Sequence, residues 1–281
     1  MQDYLMLFAL AGVWIFWASV YDLKTREVPN WLTFSLIAGA LAYRCFFALE
    51  KGESGFFWWG VVGLLVFVVI AHLFYYGKIF AGGDAKLLMG TGVALPYANG
   101  EMLLYWGIAF VLFLMFAGAV YSIFYSVFLA IPRWGKLKKI WRMELIEAKL
   151  VWLVCAVLFM GSIFLQPGKL ILIGGSIFLL ILPILYSYLR AIERVCMIRN
   201  VRVKDLLEGD WLARDVRVGK KVISASIHGL TQSEIELLRK LKKKVFIRDG
   251  VPFVPAFLFA YALMVYAFAS ESLDFAALVS A

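Results

Sequence analysis

Long apolar runs separated by short polar connections dominate the chain. The runs predict helices near residues 4–21, 31–49, 56–77, 87–98, 102–132, 150–166, 170–189 and 251–269. Roughly 20 apolar residues cross a bilayer as a helix, and most of these runs approach or exceed that length. They are too long and too continuous for the alternating strands of an outer-membrane barrel. The run at 87–98 is short for a span, and the one at 102–132 is long enough to tilt or protrude. The pattern is that of an α-helical polytopic membrane protein with about six to eight transmembrane helices, seven or eight by these runs.

One stretch departs from it. Residues 190–250 are polar and mixed in charge. Within them "VRVKDLL", "KKVISAS" and "KKVFIRDG" suggest strands, and "LTQSEIELLRKLKK" suggests a helix. Thr231 stands at the N-cap of that helix and Glu234 three residues on, the spacing of a capping box. We expect a bundle over 1–189, a small α+β domain over 190–250 inserted before the last helix, and a final helix with its tail over 251–281.

Composition agrees with lipid as the solvent. Of 281 residues 63% are hydrophobic and 17% charged, with a mean hydropathy of +0.86, whereas soluble domains carry about a quarter charged residues. The first run lacks a basic leading region and a small-residue cleavage site, so a retained helix is expected. Lys and Arg set the orientation. Lys24, Arg26, Lys78, Lys86, the cluster "RWGKLKKIWR" and the stretch from Arg190 to Arg248 fall in odd-numbered connections, against only Lys51 and Lys169 in even ones. The amino terminus is expected outside, the odd connections and the 190–250 domain in the cytoplasm, and the tail "ESLDFAALVSA" outside. The net charge of +9 favours anionic lipid headgroups as partners, with nucleic acid the weaker reading.

That topology puts two carboxylates on one face. Asp22 ends the first run, and Asp84 follows Gly82 and Gly83 two crossings later. Two carboxyls a few ångströms apart cannot both ionise and share a proton. One then serves as base on a water while the other donates to a carbonyl. Asp22 at a helix end feels the negative pole of the helix dipole, whereas Lys24, Arg26 and Lys86 favour ionised carboxylates. Gly82 and Gly83 permit positive φ or close approach of another chain. Taken singly, each aspartate also fits a plain structural role, a solvated loop charge for Asp22 and a tight turn for "GGD".

Other polar residues suggest less. Arg44 in a membrane run fits snorkelling or pairing within the bundle, and His72 fits a hydrogen-bonded interior residue. Cys45, Cys155 and Cys196 are isolated and His228 is the only other histidine, so no metal site and no cofactor are expected. Glu27, Glu144 and Glu147 are available to meet basic groups of a substrate.

"YDLKTREVPNWL" together with "FAGGDAKLLMG" resembles the type IV prepilin and preflagellin peptidases, membrane aspartyl proteases with a G-x-G-D motif. The similarity is strongest over 18–92, and "HGLT" through "IRDGVPFVPAFLFAY" resembles the end of archaeal members. The family pattern D-x-(K/R)-x-R-x-(I/V)-P-(N/D) is matched by Asp22, Arg26, Val28, Pro29 and Asn30. Gly83, Asp84, Lys86, Leu87 and Leu88 match the second motif, with Gly82 beside it. The resemblance implies catalytic Asp22 and Asp84, and prepilin or preflagellin precursors as partners. It implies removal of a short basic leader at the cytoplasmic membrane border.

Two departures stand out. Ala81 occupies the place of the first motif glycine, where positive φ would be costly. The paired-cysteine domain of many bacterial members is not seen, so linked methylation of the product is not expected. The middle, 133–189, has no family reading. Two alternatives stay open: a presenilin-like intramembrane protease, and a non-enzymatic transporter in which Asp22 and Asp84 bind a proton or cation.

Overall fold

The computed structural model describes residues 2–77, 79–164, 169–219, 221–225, 229–239 and 244–270. Lys78, His228 and the tail from residue 271 lie outside the described residues. Two compact units emerge: the described parts of Met1–Ile123 with Val251–Ala281, and those of Phe124–Gly250.

The first unit contains helices α1 (Gln2–Thr25), α2 (Asn30–Lys51), α3 (Ser54–Tyr76), α4 (Gly82–Ala94), most of α5 (Gly100–Ala130) and α10 (Val254–Ser270). Among the described residues, four stretches are long and apolar enough to cross a membrane: Tyr4–Thr25, Asn30–Lys51, Ser54–Tyr76 and Gly100–Glu147. α10 is apolar but has 17 residues, and α4 only 13. Leu5, Phe34, Leu65, Leu73 and Phe116 point outward, as lipid-facing side chains do. The interior is built from Leu7, Ile15, Leu36, Phe67, Leu88, Phe110 and Phe257.

α3 and α4 approach closely because glycines face one another. A Cβ on Gly63 would stand 2.7 Å from the Gly92 carbonyl oxygen, and one on Gly92 would collide with Phe67. Small residues of this kind let membrane helices meet backbone to backbone. The run expected at 87–98 is therefore helical from Gly82 to Ala94, starting five residues earlier, so that Asp84 lies inside the helix rather than ahead of it.

Arg44 is wholly buried. Its guanidinium donates to the carbonyls of Val93 (2.8 Å), Phe56 (2.8 Å), Tyr97 (3.3 Å) and Leu95. It also lies over the Phe56 ring, 4.7 Å from its centroid. Of the two expected roles, snorkelling gives way to pairing within the bundle. Three of the partners, Val93, Leu95 and Tyr97, are backbone oxygens where α4 ends, and the fourth, Phe56, lies in the first turn of α3; a sequence displays none of them. His72 also differs from expectation: it is exposed, and its ring nitrogen Nδ1 pairs with the Val68 carbonyl oxygen of its own helix at 2.8 Å.

The second unit holds α6 (Trp134–Glu147), α7 (Lys149–Phe164), α8 (Lys169–Cys196) and a small mixed domain. α6 occupies the basic cluster expected to be a connection. Its Leu137 and Glu144 are buried a heptad apart, with Ile140 and Trp141 half-buried between them, a helical face that the surrounding lysines conceal. Glu144 is bound by Arg194 at 2.7 Å, and Glu147 lies 3.7 Å from Arg194. Buried in this pairing, Glu144 is not free to meet a substrate.

Beyond α8, strands β1 (Ile198–Arg202), β2 (Trp211–Leu212) and β5 (Lys244–Arg248) form an antiparallel sheet in the order β1-β5-β2. Ile198 lies opposite Arg248, and Arg202 opposite Lys244. β3 (Val216–Val218) and β4 (Lys221–Ile223) form a separate hairpin. α9 (Gln232–Arg239) packs Ile235 and Leu238 against Val245 and Ile247, the two inward residues of β5. Its start carries the expected reciprocal cap: the Thr231 amide donates to Glu234 at 2.9 Å, and the Glu234 amide to Thr231 Oγ1 at 3.4 Å.

Candidate active site

The first motif is a helix end. Asp22 lies in the last turn of α1, where the Arg26 amide donates to its carbonyl at 2.8 Å. Arg26 stops the helix with a left-handed backbone, φ 60°, a conformation usually left to glycine or asparagine at this position. Pro29 follows in extended conformation, φ −60° and ψ 135°, as the cap of α2. Proline lacks an amide hydrogen and suits the lead-in to a helix. Asn30 is then the first residue of α2. The sequence offers no sign of the left-handed Arg26.

The second motif is a helix start. Ala81 caps α4 with φ −71° and ψ 164°, ordinary extended geometry for any L residue. The strain expected of alanine in the first glycine's place is therefore absent: the fold asks for no positive φ there. Gly82 and Gly83 also lie outside the left-handed region, so positive φ is not what they supply. Gly83 instead faces the first motif, where a Cβ would stand 3.4 Å from Val28 Cγ2 and 3.5 Å from the Val28 backbone nitrogen. Asp84, in the first turn of α4, accepts a bond from the Ala81 amide at 3.3 Å.

The fold brings the two aspartates together. α4 packs against α1, α2 and α3, which puts Asp22 and Asp84 near enough for the charge of one to bear on the other. Asp22 is 6% and Asp84 8% exposed, whereas Arg26, Asn30 and Lys86 around them are exposed. A buried acid pair thus lies beneath a polar rim. The rim joins the motifs, because Lys86 Nζ donates to Asn30 Oδ1 at 2.7 Å. Arg26 lies near enough for its charge to act on Asp22. Glu27 is exposed beside it.

Sequence reasoning missed one contributor. The backbone amide of Val254 donates to Asp22 Oδ2 at 2.9 Å, from a position 232 residues away. The only available hint was "VPFVP", where prolines announce a helix start. Among the described residues, no group of three or more His, Cys, Asp or Glu side chains is arranged to hold a metal ion. The chemistry open to the site is that of two interacting carboxyls, in which one proton shared between them leaves a base beside an acid.

Residues 9–123 match the type IV leader peptidase family. A preflagellin peptidase of Methanocaldococcus jannaschii is 27% identical over 92 residues, which cover 33% of this chain and 39% of that relative. The chain thus spans well under half the length of the curated relative it matches. No solved structure matches. The stretch from α1 into α5 that supplies both Asp22 and Asp84 is thus the part of the chain that is similar to type IV leader peptidases.

Proposed function

We propose that the protein is a membrane aspartic endopeptidase that removes the short basic leader from prepilin-like or preflagellin precursors. The observation that carries this reading is the meeting of two buried aspartates, from the end of α1 and the start of α4, inside the segment matched to leader peptidases. In the proposed mechanism the pair holds one proton. The ionised carboxylate takes a proton from water, the water oxygen attacks the scissile carbonyl, and the protonated carboxyl donates to the carbonyl oxygen. Collapse of the tetrahedral intermediate expels the amine, which leaves with a proton from the pair. No nucleophile from the chain becomes covalently attached.

In this reading the amino terminus lies outside, and the site and the 190–250 domain face the cytoplasm. Exposed Arg26, Asn30 and Lys86 next to the pair support a border position, since charges at the bilayer centre cost several kcal/mol. A leader bond just ahead of the substrate's apolar helix then meets the site without unwinding that helix. The test is incubation of the purified protein with such a precursor, followed by mass spectrometry. Loss of the leader, with the new amino terminus ahead of the apolar segment, supports the proposal. A terminus several residues inside that segment, or no cleavage of any precursor, overturns it.

A further inference from the structure

We propose that the first turn of α10 is the positioning element of Asp22, holding its carboxylate in the reacting orientation and supporting its charge. The inference rests on the reading of Asp22 as half of a catalytic pair. It assigns a role to a segment that lies outside residues 9–123, the stretch matched to the family.

The geometry comes from two helix ends. Amides of a first helical turn have no partner within their own helix. Val254 opens α10, and the next residue, Pro255, has no amide to offer. The Val254 amide is aimed at Asp22 Oδ2 at 2.9 Å, in a buried bond. Asp22 lies at the carboxyl end of α1, where the helix dipole opposes a negative charge. The amino end of α10 brings the opposite pole to the same carboxylate, so the two dipole ends offset one another there.

Val254 is held at its carbonyl as well. Ser19, one turn before Asp22, has its hydroxyl 2.8 Å from the Ile15 carbonyl and 3.3 Å from the Val254 carbonyl. The neighbouring Phe253 fills the space above Gly118, where a Cβ would collide with its ring. Its ring centroid lies 5.3 Å from that of Phe80, and Phe257 lies 5.8 Å from Phe80. Phe80 immediately precedes Ala81, the cap of the helix that carries Asp84. One five-residue stretch therefore bears on the approach to both aspartates: by a hydrogen bond to one, by ring packing to the other.

The test removes the amide and keeps the rest. Val254→Pro does this at the first helical position, where proline is well accepted. Replacing Val254 by its α-hydroxy analogue turns the amide into an ester and keeps the side chain, which covers the case in which the proline variant does not fold. Val254→Ala keeps the amide and serves as control. All are made in the full chain in detergent micelles. The first readout is the carbon-13 carboxyl titration of Asp22, identified by its loss in Asp22→Asn. Its midpoint is expected to move to higher pH in the amide-deleted proteins and to stay in place in Val254→Ala.

The second readout is precursor cleavage. A fall in kcat of about 10- to 100-fold is expected, with KM within about twofold and the acid limb of the pH profile displaced to higher pH. An unchanged titration in a folded amide-deleted protein overturns the inference, as does an equal displacement in Val254→Ala. A displaced titration in a protein that cleaves no precursor leaves the positioning role standing and overturns the proposed function instead.

Discussion

Lys86 Nζ donates to Asn30 Oδ1 across 2.7 Å, joining residues 56 positions apart at the heads of α4 and α2. Each belongs to a different motif, and each follows its motif's aspartate by a short, fixed interval. The bond is exposed, so its worth to stability is small, about 1 kcal/mol or less. Its effect is on the spacing of the motifs. We expect Lys86→Met and Asn30→Ala each to lower kcat/KM about 3- to 10-fold, and the double variant to be no worse than the poorer single one. Steady-state kinetics on the four proteins measure this, and losses that multiply would show that the two side chains act separately.

Asp22→Asn and Asp84→Asn are each expected to reduce cleavage by at least about 10³-fold, since an amide can neither accept the water's proton nor supply one to the leaving group. Both variants should elute and melt like the parent protein. Substantial turnover by either folded variant would remove that residue from the catalytic pair.

In the proposed mechanism a proton shared by the two carboxyls sets the pH response. Below the lower titration step both carboxyls are protonated and no base remains. Above the upper step both are ionised, and the acid is gone. Activity is therefore expected to follow a bell, with limbs that belong to the pair rather than to either residue. In Asp22→Asn the charge that acts on Asp84 is removed, so Asp84 should titrate in one step, below the pair's upper one. Carboxyl NMR across pH checks the order.

Arg26 holds a left-handed backbone at φ 60°. Such a conformation costs a residue with a Cβ roughly 1 kcal/mol more than it costs glycine. Arg26→Gly is expected to leave thermal stability equal or slightly raised, and to lower activity through loss of a positive charge that acts on Asp22. A thermal melt alongside kinetics separates the two effects. A variant that loses stability would place the value of Arg26 in its contacts instead.

Gly60 makes room for Arg44: a Cβ there would overlap Arg44 Cδ and come 2.7 Å from Nε. Gly60→Ala is expected to cost about 1–3 kcal/mol by overpacking. Arg44→Met should cost more, about 3–5 kcal/mol, by leaving several buried carbonyls without a donor. Unfolding in mixed micelles ranks the two.

What the sequence made legible followed from local chemistry. Apolar runs marked α1, α2, α3, α5 and α10 to within a few residues, and Thr231 with Glu234 marked the start of α9, because periodicity and capping are written in neighbouring positions. Asp22 and Asp84 stood out by their shared face in the expected topology and by the resemblance of the stretches around them. Features that depend on distant backbone were not legible. The Val254 amide and the four carbonyls around Arg44 have no side-chain signature, and α6 was hidden because Lys136, Lys138, Lys139 and Arg142 interrupt its buried face. Ala81 looked like a defect only while the backbone there was imagined as left-handed. The extended cap makes alanine ordinary.

Helix α4 has 13 residues, and at about 1.5 Å per residue it rises about 20 Å, two-thirds of a typical hydrocarbon core. With the start of α4 at the border, as proposed above, the helix would end within the depth of the membrane, where its last carbonyls have no water. Arg44 takes the place of that water by donating to Val93, Leu95 and Tyr97. On that placement the height of Asp84 would be set from inside the protein, up from the Arg44 guanidinium, and not down from the lipid headgroups. Cleavage rates should accordingly vary little between short-chain and long-chain lipids, because bilayer thickness has no grip on the rung that carries the aspartate.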